Sequence, residues 1–264
     1  MSSHSKIFTL LLCLLASAVS LPSLFADETP EQAKVAGIHG GAVVQVGAPD
    51  AALSAALART GRYIVNVFTE DEAALAHIRS KLHAENLYGV ASAEPLDSPS
   101  HLPYTEHLIN LIVIDQPGIP LAEVLRVLTP NGAVLFTNPG THTEETLKEA
   151  GFDQAKAISS DSGAIWLLAR KPWPENMGRW THSRHDANGN AVSPDTAVGE
   201  PKRIRWIAAH SGREVEGMVS DGGRNFYGQA LTRDSFNGLR LWHRDLSQPE
   251  EKMDPSAFQM KPLS

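Results

Sequence analysis

The residues with the clearest chemical meaning lie in positions 40–50, where the sequence runs GGAVVQVGAPD. The apolar run predicts a buried strand that ends in a glycine-containing turn, where nucleotide-binding α/β domains hold a cofactor. Glycine in such a turn lets the backbone approach the ligand, because a side chain would occupy the ligand's space. Gly47 meets this need, whereas Ala48, Pro49 and Ala51 add side chains. The turn therefore predicts a cofactor site with altered contacts.

The segments after this turn alternate between helix and strand patterns. Asp50 caps a predicted helix through residue 59, and residues 63–68 form the second predicted strand. Thr69 and Glu72 match a capping box, so a second helix is expected directly after that strand. A short third strand is expected near residues 88–91. This order predicts a β-α-β-α-β unit.

The pattern repeats in the next part of the chain. Residues 108–114 are almost continuously apolar, which is typical of a strand covered on both faces of a parallel sheet. Pro120 opens a helix and residues 133–137 form the next strand. A further helix is expected from residue 143 to 151, and strands near residues 153–158 and 164–169 predict an antiparallel edge hairpin. The predicted fold is a doubly wound α/β sheet, mainly parallel.

Residues 35–171 resemble the class I S-adenosylmethionine-dependent methyltransferase domain. Three segments carry the resemblance: VVQVG at residues 43–47, LRVLTPNGA at residues 125–133 and EAGF at residues 149–152. The first is similar to the family's first strand and glycine turn, and the second to its segment that usually ends in Pro-Gly-Gly. The resemblance implies a Rossmann-like sheet with its first strand central and the ligand at the carboxyl ends of strands one, two and four.

The resemblance also defines the candidate site and its departures from the family. An acidic residue normally ends strand two and accepts hydrogen bonds from the cofactor's ribose, but Thr69 stands there. Glu70 and Asp71 could replace it by a small shift in register, although carboxylates are also favoured in the first turn of a helix. Gln116 and Pro117 lie where some methyltransferases carry catalytic-loop residues, and no catalytic residue is assigned. The predicted cofactor-binding residues are Gly47, Ala48, Asp50, Thr69, Glu70 and Asp115.

Residues 172–264 show a different composition, with turn signals at short intervals between β-rich runs. Strands are predicted near residues 203–208, 214–220, 225–231 and 239–245, with turns at residues 221–223 and 237–238. Residues 234–242 resemble the blade motif of pyrroloquinoline-quinone (PQQ) type β-propellers, in which Trp242 would pack between blades. The mature chain is similar to the front of a bacterial exported family in which a methyltransferase-like domain precedes such a propeller.

About one blade fits in the chain, so we expect no bound PQQ, since one blade cannot enclose the quinone. A lone blade leaves strand edges that invite a protein partner or self-association. His182, His185 and Asp186 are metal-ligand types, but no third strong ligand is fixed by spacing. We therefore predict no metal site, and these residues are interpreted as part of a packed junction.

Residues 1–26 have the layout of a secretory signal: Lys6, an apolar run and then small residues. Cleavage after Ala26 would export the protein to the periplasm or cell envelope, and an uncleaved anchor is the alternative. The only cysteine, Cys13, lies in this segment. The net charge of -7 gives no electrostatic reason to expect nucleic acid or an anionic membrane as partner.

Two functions remain open on the sequence. The first is an S-adenosylmethionine-dependent methyltransferase-like protein whose cofactor contacts are weakened at Pro49, Ala51 and Thr69. The second is a non-catalytic exported protein that uses its α/β domain and propeller-like segment as interaction surfaces.

Overall fold

The computed structural model describes residues 29–200, 204–208, 217–228 and 231–243. These residues form one seven-stranded sheet and one four-stranded sheet. The predicted secretory signal, residues 1–26, lies outside the described residues. Within the described ranges, no helix combines the length and the apolar character needed to span a membrane.

The first sheet contains seven strands and is accompanied by five helices. The strands are β1 (Gly41–Val46), β2 (Tyr63–Thr69), β3 (Ala91–Pro95), β4 (Ile109–Ile114), β5 (Leu128–Phe136), β6 (Asp153–Ser159) and β7 (Ile165–Arg170). The helices are α1 (Glu31–Ala36), α2 (Ala52–Arg59), α3 (Glu72–Ala84), α4 (Leu121–Val127) and α5 (Glu144–Glu149).

The strand order is β3-β2-β1-β4-β5-β7-β6. The first five strands in this order pair in parallel, whereas β7 is antiparallel to both β5 and β6. β1 is thus the middle one of the five parallel strands. This arrangement confirms the predicted doubly wound sheet, its central first strand and its antiparallel hairpin. It is a mixed α/β, Rossmann-like sheet.

The two faces of the sheet bury separate hydrophobic clusters, since successive side chains of a strand point to opposite faces. Val43 packs with α1, α2 and α3 in the first cluster. Val44 and Val46 pack with α4 and α5 in the second cluster. Residues 96–108, which connect β3 to β4, contain no helix. The second face near β2 and β3 is therefore covered by a loop.

Three local predictions in the first sheet were wrong. β5 begins at Leu128, five residues before the predicted start at residue 133. The capping box of Thr69 and Glu72 does not form, because α3 begins after Asp71, whose Oδ1 accepts from the amides of Ala73 and Ala74 at 2.8 and 3.1 Å. An aspartate is a strong helix cap and leaves Thr69 within β2. The third strand begins only at Ala91, where the predicted one ends.

The second sheet contains β8 (Val219–Asp221), β9 (Arg224–Tyr227), β10 (Leu231–Asp234) and β11 (Arg240–His243). Its order is β11-β10-β9-β8, and every pair is antiparallel. The strand predicted for residues 225–231 is instead the end of β9 and the start of β10. Residues 204–208 form no strand. Residues 203, 214–216 and 244–245 of the predicted strands lie outside the described residues.

The predicted two-residue Asn-Gly hairpin turn is also wrong. Gly238 has a positive φ of 73°, but Asn237 is not among the positive-φ residues. The turn between β10 and β11 is longer, and it is organised by Asp234. The Asp234 Oδ1 atom accepts from the amides of Phe236 and Asn237 at 2.7 and 3.0 Å. A side chain that caps its own turn in this way replaces the tight backbone turn.

The second sheet contacts the amino ends of β1 and β4 through Asn110. The Asn110 Nδ2 atom donates to Asp234 Oδ2 at 2.7 Å, and its Oδ1 atom accepts from Asn237 Nδ2 and the Ala42 amide, both at 2.8 Å. Gly41 has a φ of 114°, and a side chain there would overlap the Asn110 amide. We call Gly41, Asn110, Asp234 and Asn237 the amino-end junction.

Candidate functional site

A cleft lies over the carboxyl ends of β1, β2 and β4, the strands named by the resemblance. β1 and β4 are parallel neighbours at which the strand order reverses, and open α/β sheets bind ligands at such a switch point. The cleft is shallow, and the space of about 310 Å³ between its walls includes open solvent. It is lined by Val46, Gly47, Thr69, Glu70, Leu96, Pro99, Gln116, Pro117, Gly118 and Ile119.

One wall of the cleft belongs to the loop of residues 96–108, which α4 holds in place. Glu123 Oε1 accepts from the Leu102 amide at 2.6 Å, and Arg126 NH1 donates to the Tyr104 carbonyl at 2.7 Å. The hydrogen bond from Arg126 holds the pKa of Glu123 below its usual value. Burial raises the pKa of Tyr104 to about 12, and its hydroxyl accepts from Asn66 Nδ2 at 2.9 Å. The loop is thus fixed although it contains no helix.

At the end of β2, Thr69 and Glu70 both line the cleft, and Glu70 supplies the carboxylate. Thr69 lines the cleft but is only 3% exposed, and its hydroxyl accepts from the Asp71 amide at 3.2 Å. Glu70 is exposed and is the only charged residue of the lining. The carboxylate that could accept hydrogen bonds from a ribose therefore lies at position 70, one residue after the position where the resemblance implies an acidic residue.

The turn after β1 places only Gly47 in the cleft. Gly47 has a φ of 77°, and a Cβ atom there would lie 2.9 Å from the Gln116 backbone nitrogen and would overlap the Gln116 Cβ atom. The volume that a side chain at position 47 would fill is therefore occupied by Gln116. The glycine is required by the chain's own packing, whatever else approaches it.

The other residues of this turn do not line the cleft. Ala48 and Ala51 are almost fully buried in the first hydrophobic cluster, so their methyl groups pack under α2. Pro49 and Asp50 are exposed, and Asp50 Oδ1 accepts from the Ala52 amide at 2.7 Å. Ala48 and Asp50, two of the predicted cofactor-binding residues, thus have structural roles at the start of α2.

Asp115 belongs to a polar cluster on the first face of the sheet, away from the cleft lining. Gln45 Nε2 donates to Asp115 Oδ2 at 2.7 Å, and the Thr137 hydroxyl donates to Asp115 Oδ1. Gln45 is 4% exposed, and its Oε1 atom has no hydrogen-bond partner among the described residues. We call Gln45, Asp115 and Thr137 the carboxyl-end cluster.

Gln45 was not among the predicted site residues, although its place in the sequence distinguishes it. It is the only polar residue of β1, a strand buried on both faces. A buried amide without a full set of partners is costly, so its presence in this strand points to a requirement other than packing.

The charge around the cleft disfavours phosphate groups. The loops after the parallel strands, residues 47–52, 69–72, 96–100, 115–120 and 137–143, contain no lysine or arginine. Phosphate sites usually rely on such cations. Among the described residues, no group of three histidine, cysteine or acidic side chains could hold a metal ion.

Comparison with known proteins gives likenesses of fold. No family model matches the chain, and no curated protein matches it. A proposed S-adenosylmethionine-dependent methyltransferase from Methanococcus maripaludis is 19% identical, with a TM-score of 0.45 over 58% of this chain and 89% of that one. An S-adenosylmethionine-dependent O-methyltransferase from Thermotoga maritima is 14% identical, with a TM-score of 0.46 over 55% of this chain and 65% of that one.

A methyltransferase from Aquifex aeolicus, also dependent on S-adenosylmethionine, is 16% identical, with a TM-score of 0.42 over 54% of this chain and 90% of that one. At these identities the likeness concerns the fold alone. The strand order and the position of the cleft carry the structural argument.

Proposed function

We propose that this chain is an S-adenosylmethionine-dependent methyltransferase-like protein whose cleft keeps the adenosine contacts and has lost part of the contacts to the methionine half. The observation that supports this most directly is the cleft at the switch point between β1 and β4, with Gly47 on one side and Glu70 as its only charged lining residue. Thr69 stays within the proposed site as a residue of its wall, whereas Asp115 belongs to the carboxyl-end cluster beside it.

The adenosine half fits the residues present. The Glu70 carboxylate is exposed at the end of β2 and could accept from both ribose hydroxyls. Leu96, Pro99 and Ile119 supply apolar walls against which a purine ring could lie. The absence of lysine and arginine from the surrounding loops favours this ligand over phosphorylated nucleotides.

The methionine half fits less well, because Gln116 occupies the space beside Gly47. When bound, S-adenosylmethionine supplies an activated methyl group, and transfer depends mainly on how donor and acceptor are positioned. A displaced or loosely held methionine half would weaken that positioning. We therefore propose reduced affinity and reduced transfer, with the methyl acceptor unassigned.

Calorimetric titration with S-adenosylmethionine tests this proposal. We expect Glu70→Gln to weaken binding about tenfold, because a neutral amide accepts ribose hydrogen bonds less strongly than a carboxylate. Glu72→Gln is the matched control, since Glu72 lies two residues later, in the first turn of α3, and does not line the cleft. No heat at millimolar ligand, or equal effects of the two substitutions, would contradict the proposal.

A non-catalytic exported protein is the second candidate. It is supported by the filled space beside Gly47 and by the closely bonded amino-end junction, which gives the second sheet a fixed place. A protein partner or self-association through the edges of that sheet would then be the function. Sedimentation of the purified protein, together with mass analysis of the N-terminus for cleavage after Ala26, tests association and export. A monomer with an intact N-terminus would contradict this candidate.

A further inference from the structure

The loop of residues 116–118 crosses the mouth of the cleft directly beside Gly47. Gln116, Pro117 and Gly118 are all exposed, and all three line the cleft. Gln116 is the nearest neighbour of Gly47 on the side where glycine has no side chain. We call residues 116–118 the strap.

The strap is anchored at both ends and free in the middle. On one side, the Asp115 amide donates to the Val46 carbonyl at 2.9 Å, and the Asp115 carboxylate is held by Gln45 and Thr137. On the other side, Ile119 is 5% exposed in the second hydrophobic cluster. The strap can therefore change its path without disturbing the strands.

Gly118 gives the strap a point of rotation. Its φ is 142°, a value that other residues rarely adopt, and a Cβ atom there would meet open space within 4 Å. A glycine with such freedom can absorb a change in backbone angles, as hinge residues of active-site loops do. Pro117 keeps the preceding Gln116 away from helical angles, so movement is expected at Gly118.

We propose that the strap is a self-occluding element, in which Gln116 covers Gly47 and must be displaced before the methionine half of the ligand can bind. This inference rests on the proposed function of the cleft. A ligand that binds only the displaced form has an apparent dissociation constant raised by the rarity of that form. Adenosine, which needs only the Glu70 side of the cleft, would not depend on the strap.

Two substitutions distinguish occlusion of the cleft by the strap from a general change in the loop. Gln116→Gly removes the Cβ atom, the Gln116 atom nearest to the side-chain position of Gly47, whereas Gln116→Ala keeps this atom and removes the rest of the side chain. Calorimetric titration of the wild type and both variants with S-adenosylmethionine and with adenosine is the experiment. We expect Gln116→Gly to bind S-adenosylmethionine about tenfold tighter, with Gln116→Ala close to the wild type and adenosine affinity equal in all three.

If Gln116→Gly binds S-adenosylmethionine no more tightly than the wild type but still binds adenosine, the proposal that the strap occludes the cleft is wrong and the proposed function stands. The absence of binding of either ligand to all three proteins would overturn both. Hydrogen exchange on the wild type gives a second readout that needs no variant to fold. The Gln116 and Gly118 amides should exchange faster with S-adenosylmethionine than with adenosine, and equal exchange would count against the strap.

Discussion

Similar residues lie at the two ends of the β1–β4 pair, but their hydrogen bonding differs. At each end a glycine of β1 or its turn makes room for an amide side chain next to β4: Gly41 for Asn110 and Gly47 for Gln116. At the amino end, Asn110 uses its donor on Asp234 and its acceptor on two further groups. At the carboxyl end, the Gln45 acceptor has no partner within the part of the chain that the structure describes.

The difference distinguishes an end with a fully bonded polar network from an end with an unpaired buried acceptor. A fully bonded buried polar network makes one arrangement specific, whereas an unpaired buried acceptor costs free energy. The amino-end junction therefore fixes the second sheet, and the carboxyl end retains polar capacity that the fold does not use. Binding sites commonly show this kind of local inconsistency.

The largest effect is expected for Gly41→Ala. The substitution forces a side chain into a residue with a φ of 114° and into the volume of the Asn110 amide. We expect a loss of about 3 kcal/mol in the free energy of unfolding. Gly89→Ala is the control, because Gly89 has a φ of 102° but open space around it, and strain alone should cost about 1 kcal/mol. Equal losses in urea denaturation would show that Asn110 does not fill this space.

A smaller effect is expected when the partners of the junction are exchanged. Asn110→Asp puts two carboxylates face to face, and Asp234→Asn puts two amide donors face to face, so each should cost about 2 kcal/mol. The double variant restores one donor and one acceptor, and it should recover most of the loss. Unfolding free energies of all four proteins form a double-mutant cycle. Additive losses would mean that the two side chains do not interact.

The carboxyl-end cluster should tolerate the loss of its amide better. Gln45→Met keeps the length of the side chain and removes an acceptor that has no partner, although it also removes the bond to Asp115. We expect a change of less than about 1 kcal/mol in the free energy of unfolding. A loss as large as that of Asn110→Asp would show that the two ends are equally well satisfied, and the comparison would fail.

The smallest predicted effect is a change in the free energy of unfolding at low pH. Burial raises the pKa of Asp234 above its usual 3.8, against the hydrogen bonds that lower it. The folded protein then holds this proton more tightly than the unfolded chain, so the contribution of Asp234 to stability is present at low pH and is lost as pH rises through the folded pKa. The wild type should gain stability relative to Asp234→Asn as pH falls through that range. A constant difference across the range would contradict the raised pKa.

The parallel sheet was predictable from the sequence because its strands are short apolar runs separated by clear helix starts. Periodicity and turn residues fixed β1, β2 and β4 to within one or two residues. The position of the cleft followed from the strand order. The start of α3 was wrong because two capping residues, Thr69 and Asp71, compete within one turn, and local patterns do not rank them.

The site residues were harder to predict because their roles depend on contacts across the fold. Whether Ala48 faces a ligand or the core depends on how α2 packs, and Gln116 lies far along the chain from Gly47. The long turn after β10 was missed because Asp234 organises it through its own side chain and through Asn110, which is 124 positions away in the sequence. Such partners are set by tertiary structure and leave no local pattern.

The most direct test of the account compares the affinities of adenosine and S-adenosylmethionine for the unmodified protein by calorimetry. If, as proposed, only the adenosine half has open contacts in the cleft, the two dissociation constants should agree to within about threefold. Binding of S-adenosylmethionine that is more than about a hundredfold tighter than that of adenosine would show that Gln116 does not cover Gly47 in solution, and failure of adenosine to bind would show that the cleft is not an adenosine site.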